Sequence, residues 1–469
     1  MRGWGTGTRL GQSASFCGAH LLTQASFLPG VGGKWGVPMW AFYVNRGQGM
    51  ATFGVENKDG GIALFQTAEK TYQVTPFVGF RTLLKGTRAS GTSFESQPFM
   101  PSSDADPKTT PDRKMMMGYN EMEVQEIDAS TGIRTNALYI TTVNEMFPAM
   151  IRRVTYTNEG DDDVELEVVD GLAKLEPTGV GVLQVAAMGR TLEGWMQVFN
   201  FVKDHTQPFF HLVSVPADTA DVTLIKEGHF ALAYVEDDAN VDSKGDHALL
   251  PIICDQQLLF GTDTSLSIPR KFFSSQDTPG GTSLADILEQ PQSITSRTPS
   301  AFAAATLKLK PGESKTIALI IGHAATQDIF TNVIVPKLRK KGYTTAMRTA
   351  AKQVGTDLTE RVAMSSGVPS MDAYAKQNYL DNVLRGGMPV EMGIQPDTNP
   401  KIYHTFSRIH GDLERDYNNF ELEQSVFSQG PGNFRDVNQN RRCDVLQMPS
   451  VYDFNVRQFL TYVQARARL

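Results

Sequence analysis

The sequence predicts a large antiparallel β-sandwich that is followed by a helical segment. Short alternating apolar runs, separated by turn residues, recur from about Pro38 to Gly322. After His323 the period changes, and helix formers carry apolar residues at spacings of three and four. The chain has 469 residues, enough for two or three domains with a large core.

Two stretches are predicted to form β-hairpins. In "RRVTYTNEGDDDVELEVVDG", Val154 and Tyr156 alternate with threonines, residues 158–163 supply turn chemistry, and a second alternating run begins at Val164. In "TLKLKPGESKTIALIIG", alternating leucines and lysines lead to Pro311 and Gly312, which suit the central positions of a type II turn.

The helical predictions concern the segments after the sandwich. "SMDAYAKQNYLDNVLRGG" is predicted as a helix with Ser370 as its cap and Gly386 at its end. Asp436, with Gln439 three residues on, resembles a capping box, so "VNQNRRCDVLQM" is predicted as a short helix that stops before Pro449. A further amphipathic helix is predicted from residue 450 onward.

Composition excludes several classes of function. The net charge of −7 is mild and no long basic run occurs, which argues against nucleic acid as a partner. No segment has the 18 to 20 apolar residues, roughly, that span a bilayer, so no membrane partner is expected. The odd set Cys17, Cys254 and Cys443 supports neither a disulfide framework nor a metal site. These features favour a reducing, cytoplasmic location.

Residues 1–38 differ from the rest of the chain. They are rich in Gly, Ser and Thr, they contain Arg2 and Arg9, and the first acidic residue is Glu56. A poorly defined N-terminal segment is the favoured interpretation, and a segment that targets the protein to an organelle is the alternative.

The stretch "GPGNFRDVNQNRR" carries the strongest chemical signal. The guanidinium of Arg435 can donate to hydroxyl oxygens and the carboxylate of Asp436 can accept from hydroxyl hydrogens, a combination that suits a pyranose sugar. The alternative is a capped helix with an internal ion pair and solvated arginines. The charged stretch "HTFSRIHGDLERDYNNF", which begins at His404, lacks metal-ligand spacing and is predicted as a surface loop.

The order of a sandwich, a helical linker and a Phe-Arg-Asp-x-x-Gln helix resembles the inverting phosphorylases of the cellobiose phosphorylase type. The matching motif is "NFRDVNQN", followed by "VRQFLTYVQA". The stretches "YVNRGQGMATFGVENKDG", "YHTFSRIHGDLERDYN" and "RDVNQNRRCDV" are more similar to the large β-1,3-oligoglucan phosphorylases. The resemblance covers most of the chain from Trp40 onward, but only the helix motif is functionally specific.

This resemblance implies a particular domain order. A β-rich N-terminal supersandwich is expected at 39–325, a helical linker at 326–387, and the first helices of an incomplete (α/α)6 barrel at 388–469. A complete barrel of that kind needs about 300 residues. The chain is therefore expected to be the N-terminal portion of a larger enzyme.

The resemblance also implies an activity, which is glycosyl transfer from a β-glucan oligosaccharide or disaccharide to inorganic phosphate, giving α-glucose 1-phosphate. Phosphate is then a co-substrate, no cofactor is expected, and a homodimer is the expected oligomer. Arg408 and Arg415 are the candidate phosphate ligands. The sugar-binding residues implied by the motif are Arg435, Asp436, Gln439 and Asn440.

Two departures from the family pattern bear on activity. Asn440 stands where cellobiose phosphorylases have an acid, and Asp444, one helical turn on, is the residue that could compensate. No residue can be assigned as the family's general acid, which typically contributes about 10² to 10⁴-fold to the rate. Whether the chain is an enzyme therefore stays open, and no turnover is expected from it alone. The alternatives are a non-catalytic carbohydrate-binding protein and an inverting glycoside hydrolase on the same scaffold.

Overall fold

The computed structural model describes twelve segments of the chain. They are residues 25–28, 30, 32–33, 36–44, 49–66, 68–100, 111–201, 204–276, 279–392, 401–407, 425–426 and 434–463. This part of the chain is β-rich, with several sheets and some helices, as the sequence predicts. None of the helices in these segments has the length and apolar character that a bilayer crossing needs.

Twenty strands occur in the described segments. In chain order they are β1 Ala25–Leu28, β2 Trp40–Val44, β3 Met50–Gly54, β4 Gly61–Ala63, β5 Phe80–Arg88, β6 Ser93–Ser96, β7 Asp112–Met117, β8 Met122–Asp128, β9 Ile133–Thr141, β10 Ala149–Asn158, β11 Val164–Leu172, β12 Met196–Phe199, β13 Phe209–Leu212, β14 Gly228–Val235, β15 Ile252–Ile253, β16 Ala301–Leu309, β17 Ser314–Ala324, β18 Gly387–Met392, β19 Lys401–Ser407 and β20 Ser425–Val426.

Ten α-helices occur in the same segments. They are α1 Ala68–Val78, α2 Val182–Met188, α3 Gln257–Phe260, α4 Leu284–Glu289, α5 Gln327–Ile329, α6 Val335–Leu338, α7 Tyr343–Thr359, α8 Pro369–Gly386, α9 Phe434–Gln447 and α10 Phe454–Leu460. A π-helical stretch, Phe330–Ile334, joins α5 to α6.

Two antiparallel sheets share the main apolar core. The larger has eight strands in the order β12-β13-β14-β17-β10-β9-β8-β7, and the smaller has five in the order β15-β16-β11-β5-β6. Val154 and Ile317 of the larger sheet belong to the same buried cluster as Leu166 and Leu307 of the smaller one. A four-stranded sheet, β1 to β4, adds Phe53 to that cluster.

Both predicted hairpins are wrong as pairings, although all four of their strands exist. β10 pairs with β9 and β17 in the larger sheet, whereas β11 pairs with β5 and β16 in the smaller one. Likewise β16 and β17 belong to different sheets. Alternation of apolar and polar residues shows which face of a strand is buried, but it does not show which other strand is the hydrogen-bonded neighbour. Two strands that face each other across a core therefore have the same sequence pattern as two paired strands.

The two loops that cross between the sheets lie side by side. The Asn158 N–H donates to the Glu313 carbonyl at 3.0 Å, and the Gly312 N–H donates to the Asn158 carbonyl at 2.7 Å. The predicted Pro-Gly turn is present: the Glu313 N–H donates to the Lys310 carbonyl at 2.9 Å, and Gly312 has φ 76°, as a type II turn requires.

Helices cover the outer faces of both sheets. Ile140 and Ile320, on the outer face of the larger sheet, pack with Leu338 of α6 and Met347 of α7. Helices α3 and α4 similarly cover the smaller sheet. Helices α5 to α8 occupy the segment that the sequence predicts as helical. Helix α8 begins at Pro369, so Ser370 lies inside its first turn and is not the predicted cap.

The segment after α8 begins with strands. β18, β19 and β20 form a separate three-stranded sheet, and α9 and α10 follow it. The predicted helix from residue 450 begins four residues later, at Phe454, because Pro449–Val451 forms a 3-10 turn first.

Candidate functional site

Helix α9 carries the four residues predicted to bind sugar. It begins at Phe434, so Asp436 lies in its first turn and is not the N-cap that the capping-box pattern predicts. Arg435, Gln439 and Asn440 also fall within α9, and the structure describes only the backbone at these four positions. The predicted phosphate ligands Arg408 and Arg415 lie outside the described residues.

Helical geometry relates the motif to the second half of α9. Positions 436 and 440 lie two turns and one turn before Asp444 and share its face, because residues four apart are neighbours on a helix surface. The side chain of Asp444 is described, so its surroundings show how this face of α9 is held. It is 2% exposed.

A buried polar cluster surrounds Asp444, here called the His404–Asp444 cluster and made of His404, Arg441, Asp444 and Asn455. His404 Nε2 and Asn455 Nδ2 each donate to Asp444 Oδ2 at 2.7 Å. Arg441 Nε lies 3.5 Å from the same oxygen. Three elements therefore meet at one carboxylate: β19, α9 and α10.

Burial sets the charge state of the cluster. Burial lowers the pKa of His404, against the opposing hydrogen bond to Asp444, so the ring is neutral at pH 7. Burial also lowers the pKa of Arg441 to about 10, which leaves the guanidinium charged. The cluster thus pairs one cation with one anion and adds a neutral imidazole.

Several polar atoms of the cluster have no hydrogen-bond partner among the described residues. They are His404 Nδ1, Arg441 Nε and Nη1, and Asn455 Oδ1. All four side chains are under one-tenth exposed. The cluster is therefore closed to solvent, and its hydrogen bonds link α9 to β19 and α10.

A contact to the backbone also holds α9 in place. Asn455 Nδ2 also donates to the Arg441 carbonyl at 3.2 Å, which ties α10 directly to the backbone of α9. Ile402 of β19 packs with Val451 and Phe454, which lie after α9 in the chain. The second half of the helix that carries the motif is therefore anchored by polar contacts.

The structure corrects two expectations about this region. His404 was predicted in a surface loop, but it lies in β19 and is fully buried. Asp444 was expected to compensate for Asn440 in contacting sugar, but its carboxylate is already bonded to internal partners. Asn455 is not among the residues predicted from the sequence. The local sequence marks Asn455 only as a polar residue that directly follows Phe454 at the start of an amphipathic helix.

No group of three His, Cys, Asp or Glu residues within the described segments has an arrangement that could hold a metal ion. No protein-family model matches the chain. No curated protein matches it either.

Two solved structures show limited similarity to the chain. A polysaccharide lyase is 11% identical with a TM-score of 0.32, and the match covers 62% of this chain and 33% of that one. A kojibiose phosphorylase from the human microbiome is 8% identical with a TM-score of 0.24, and the match covers 66% of this chain and 28% of that one. Both TM-scores are too low to assign a family. The chain spans about a third or less of either structure.

Proposed function

We propose that this chain supplies the sandwich and the sugar-binding helix of a β-glucan or cellobiose-type phosphorylase. The reaction is glycosyl transfer from a β-linked glucan end to inorganic phosphate, giving α-glucose 1-phosphate. One observation carries the proposal: the motif "FRDVNQN" opens α9, and the second half of the same helix is anchored by the His404–Asp444 cluster. A rigid helix is what a sugar-orienting motif requires.

The motif supplies complementary groups for sugar hydroxyls. Arg435 offers planar N–H donors, and the neighbouring carboxylate of Asp436 accepts from hydroxyl hydrogens. Gln439 and Asn440, about one turn further on, each offer a donor and an acceptor at once. A pyranose presents several hydroxyls that are each donor and acceptor, so this mixture suits it better than it suits an anion.

The inverting reaction needs few catalytic groups. Phosphate attacks the anomeric carbon from the face opposite the departing oxygen, which converts the β-linkage to the α-phosphate. Since phosphate is itself the nucleophile, no carboxylate is needed to activate water, and one general acid protonates the leaving oxygen. The part proposed for this chain is to orient the sugar, and the acid stays unassigned.

Calorimetric titration with a β-1,3-linked glucose trisaccharide tests the sugar-binding role. Replacing Asp436 by Asn removes a charge-assisted hydrogen bond worth roughly 1.5 to 3 kcal/mol, so affinity should fall about 10- to 150-fold. Arg442→Gln is the matched control, because Arg442 is an exposed residue of the same helix. Equal affinities for D436N and the unaltered protein would refute the assignment.

A second assay separates the reaction classes. Phosphate release from α-glucose 1-phosphate in the presence of a glucan acceptor supports the phosphorylase. Glucan cleavage that does not depend on phosphate indicates the hydrolase instead. Sugar binding with neither reaction is the result expected for the chain by itself, and it is also the behaviour of a non-catalytic binding protein.

A further inference from the structure

A tight turn between β7 and β8 carries three consecutive residues whose side chains contact α7 or α8. It is here called the Tyr119–Glu121 turn. The Gly118 N–H closes it by donating to the Glu121 carbonyl at 2.8 Å. The turn lies at one edge of the eight-stranded sheet, where β8 and β7 are the last two strands. The proposed function makes no use of it.

Glu121 and Asn120 hold α7 through charge and hydrogen bonding. The carboxylate of Glu121 lies 2.7 Å from Arg348 Nε and 3.0 Å from Lys352 Nζ, two cations that are one turn apart on α7. Asn120 Nδ2 donates to the Ala351 carbonyl at 3.2 Å. Glu121 and Asn120 are both under one-tenth exposed. A carboxylate that is so buried depends on its two cations.

Tyr119 contacts both helices. On α7 it packs against Gly355, where an added Cβ would lie 2.9 Å from the Tyr119 Cβ. Two Cβ atoms do not approach so closely in folded proteins, so the turn can lie this near α7 only because residue 355 is glycine. On α8, Lys376 Nζ lies 5.7 Å from the centre of the Tyr119 ring, within the range of a cation–π contact.

Helix α8 continues this connection to the motif helix. It packs against β18, β19 and α9. Burial raises the pKa of Tyr379 on α8, Arg361 opposes this through its charge and a hydrogen bond, and the nearby Asp444 carboxylate raises the pKa again. Asp444 belongs to the His404–Asp444 cluster, which links α9 to β19 and α10. The contacts therefore run from the eight-stranded sheet through α7 and α8 to α9.

We propose that Tyr119, Asn120 and Glu121 are positioning residues that fix α9 relative to the eight-stranded sheet by holding α7 and α8. Closing the turn needs only the backbone hydrogen bond within it, whereas all three side chains contact α7 or α8. The consequence for sugar binding rests on the proposed function: if α9 binds the sugar, a loosened α9 binds it more weakly. The positional link itself does not depend on sugar.

Hydrogen exchange of the full chain without sugar tests the link. Glu121→Gln removes the charge that both cations share, so backbone amides of α7, α8 and α9 should exchange about 5- to 30-fold faster. Glu165→Gln is the matched control, because it removes one carboxylate of an exposed ion pair in the smaller sheet. It should leave exchange in α8 and α9 unchanged. Unchanged amides of β10 and β17 report that both variants still fold.

Gly355→Ala is a second variant in which helix propensity acts in the opposite direction. Alanine favours a helix interior more than glycine does, but its Cβ would displace the Tyr119–Glu121 turn. Amides of α8 and α9 should therefore exchange faster in G355A than in the unaltered protein. The proposal is overturned if exchange in E121Q and G355A rises only in α7 and the turn, or does not rise at all.

Calorimetric titration with the β-1,3-linked glucose trisaccharide separates this inference from the proposed function. If the unaltered protein binds the sugar, E121Q should bind it more weakly and E165Q equally well. If the unaltered protein binds no sugar while α9 still loosens in E121Q, the proposed function fails and the positional link stands. Weaker binding by E121Q with unchanged exchange in α8 and α9 would overturn the link.

Discussion

Replacing Arg152 by Met removes a buried cation that crosses between the two large sheets. Arg152 of β10 donates to Asp170 of β11 from Nε at 3.1 Å and from Nη2 at 2.8 Å. Nη2 also donates to Thr82 of β5 at 3.1 Å. Arg152 and Asp170 are both 0% exposed. The substitution therefore leaves the Asp170 carboxylate inside the core without its cation.

The expected loss of folding stability follows from that geometry. Removing one partner of a buried ion pair costs about 3 to 5 kcal/mol, because the other charge stays buried and uncompensated. Removing both charges is different: apolar replacements of similar volume are often neutral or stabilising. Arg152→Met combined with Asp170→Leu should therefore recover most of the stability that Arg152→Met alone loses.

Urea unfolding at pH 7, followed by circular dichroism, measures these differences. Lys308→Met is the control, because Lys308 pairs with Glu165 between β16 and β11 at the surface, where the side chains are 79% and 50% exposed. Loss of such a pair costs at most about 1 kcal/mol. The reasoning is refuted if Arg152→Met costs no more than Lys308→Met, or if the double variant is as unstable as the single one.

Two further predictions concern the crossing turn and acid stability. Gly312→Ala should lower the free energy of unfolding by about 1 to 2 kcal/mol, because φ is 76° at this position. An added Cβ meets no atom within 4 Å there, so the loss comes from the backbone conformation alone. Gly194→Ala is the control: it has equal space and no positive φ, and it should be near neutral in the same urea assay. Burial lowers the pKa of His211, His229 and His247. The unfolded chain therefore binds protons that the folded chain does not, and stability should fall below about pH 6.5, by up to about 1.4 kcal/mol per pH unit for each histidine. The urea concentration at the unfolding midpoint, measured in EDTA, should therefore decrease when the pH is lowered from 7 to 5.5, and an unchanged midpoint would contradict this prediction. His229→Gln should make the decrease smaller.

Local signals predicted the strands and the turn but not the pairing. Leu307 and Leu309 alternate with lysines, and Gly312 supplies the positive φ, so the strand ends and the turn follow from nearby residues. Whether β16 then pairs with β17 or faces it across a core depends on β10 and β11, which are distant in sequence. Val154 and Leu166 belong to the same core cluster although their strands lie in different sheets.

The candidate site shows the same limit. Helix α9 could be predicted from its composition and from Pro449 beyond its end. The contact between Asp444 and His404 could not be predicted, because the two residues are 40 positions apart and no local pattern marks His404 as buried. Asn455 is similar, since its role comes only from the packing of α10 against α9.

Hydrogen exchange with and without a β-1,3-linked glucose trisaccharide tests the central claim most directly. If α9 is the sugar-binding helix, backbone amides in Phe434–Gln447 should exchange more slowly when the sugar is present, and D436N should lose this protection. Amides of β10 and β17 in the eight-stranded sheet should exchange at unchanged rates. Protection confined to the two large sheets, or equal protection of α9 in D436N, would contradict the account.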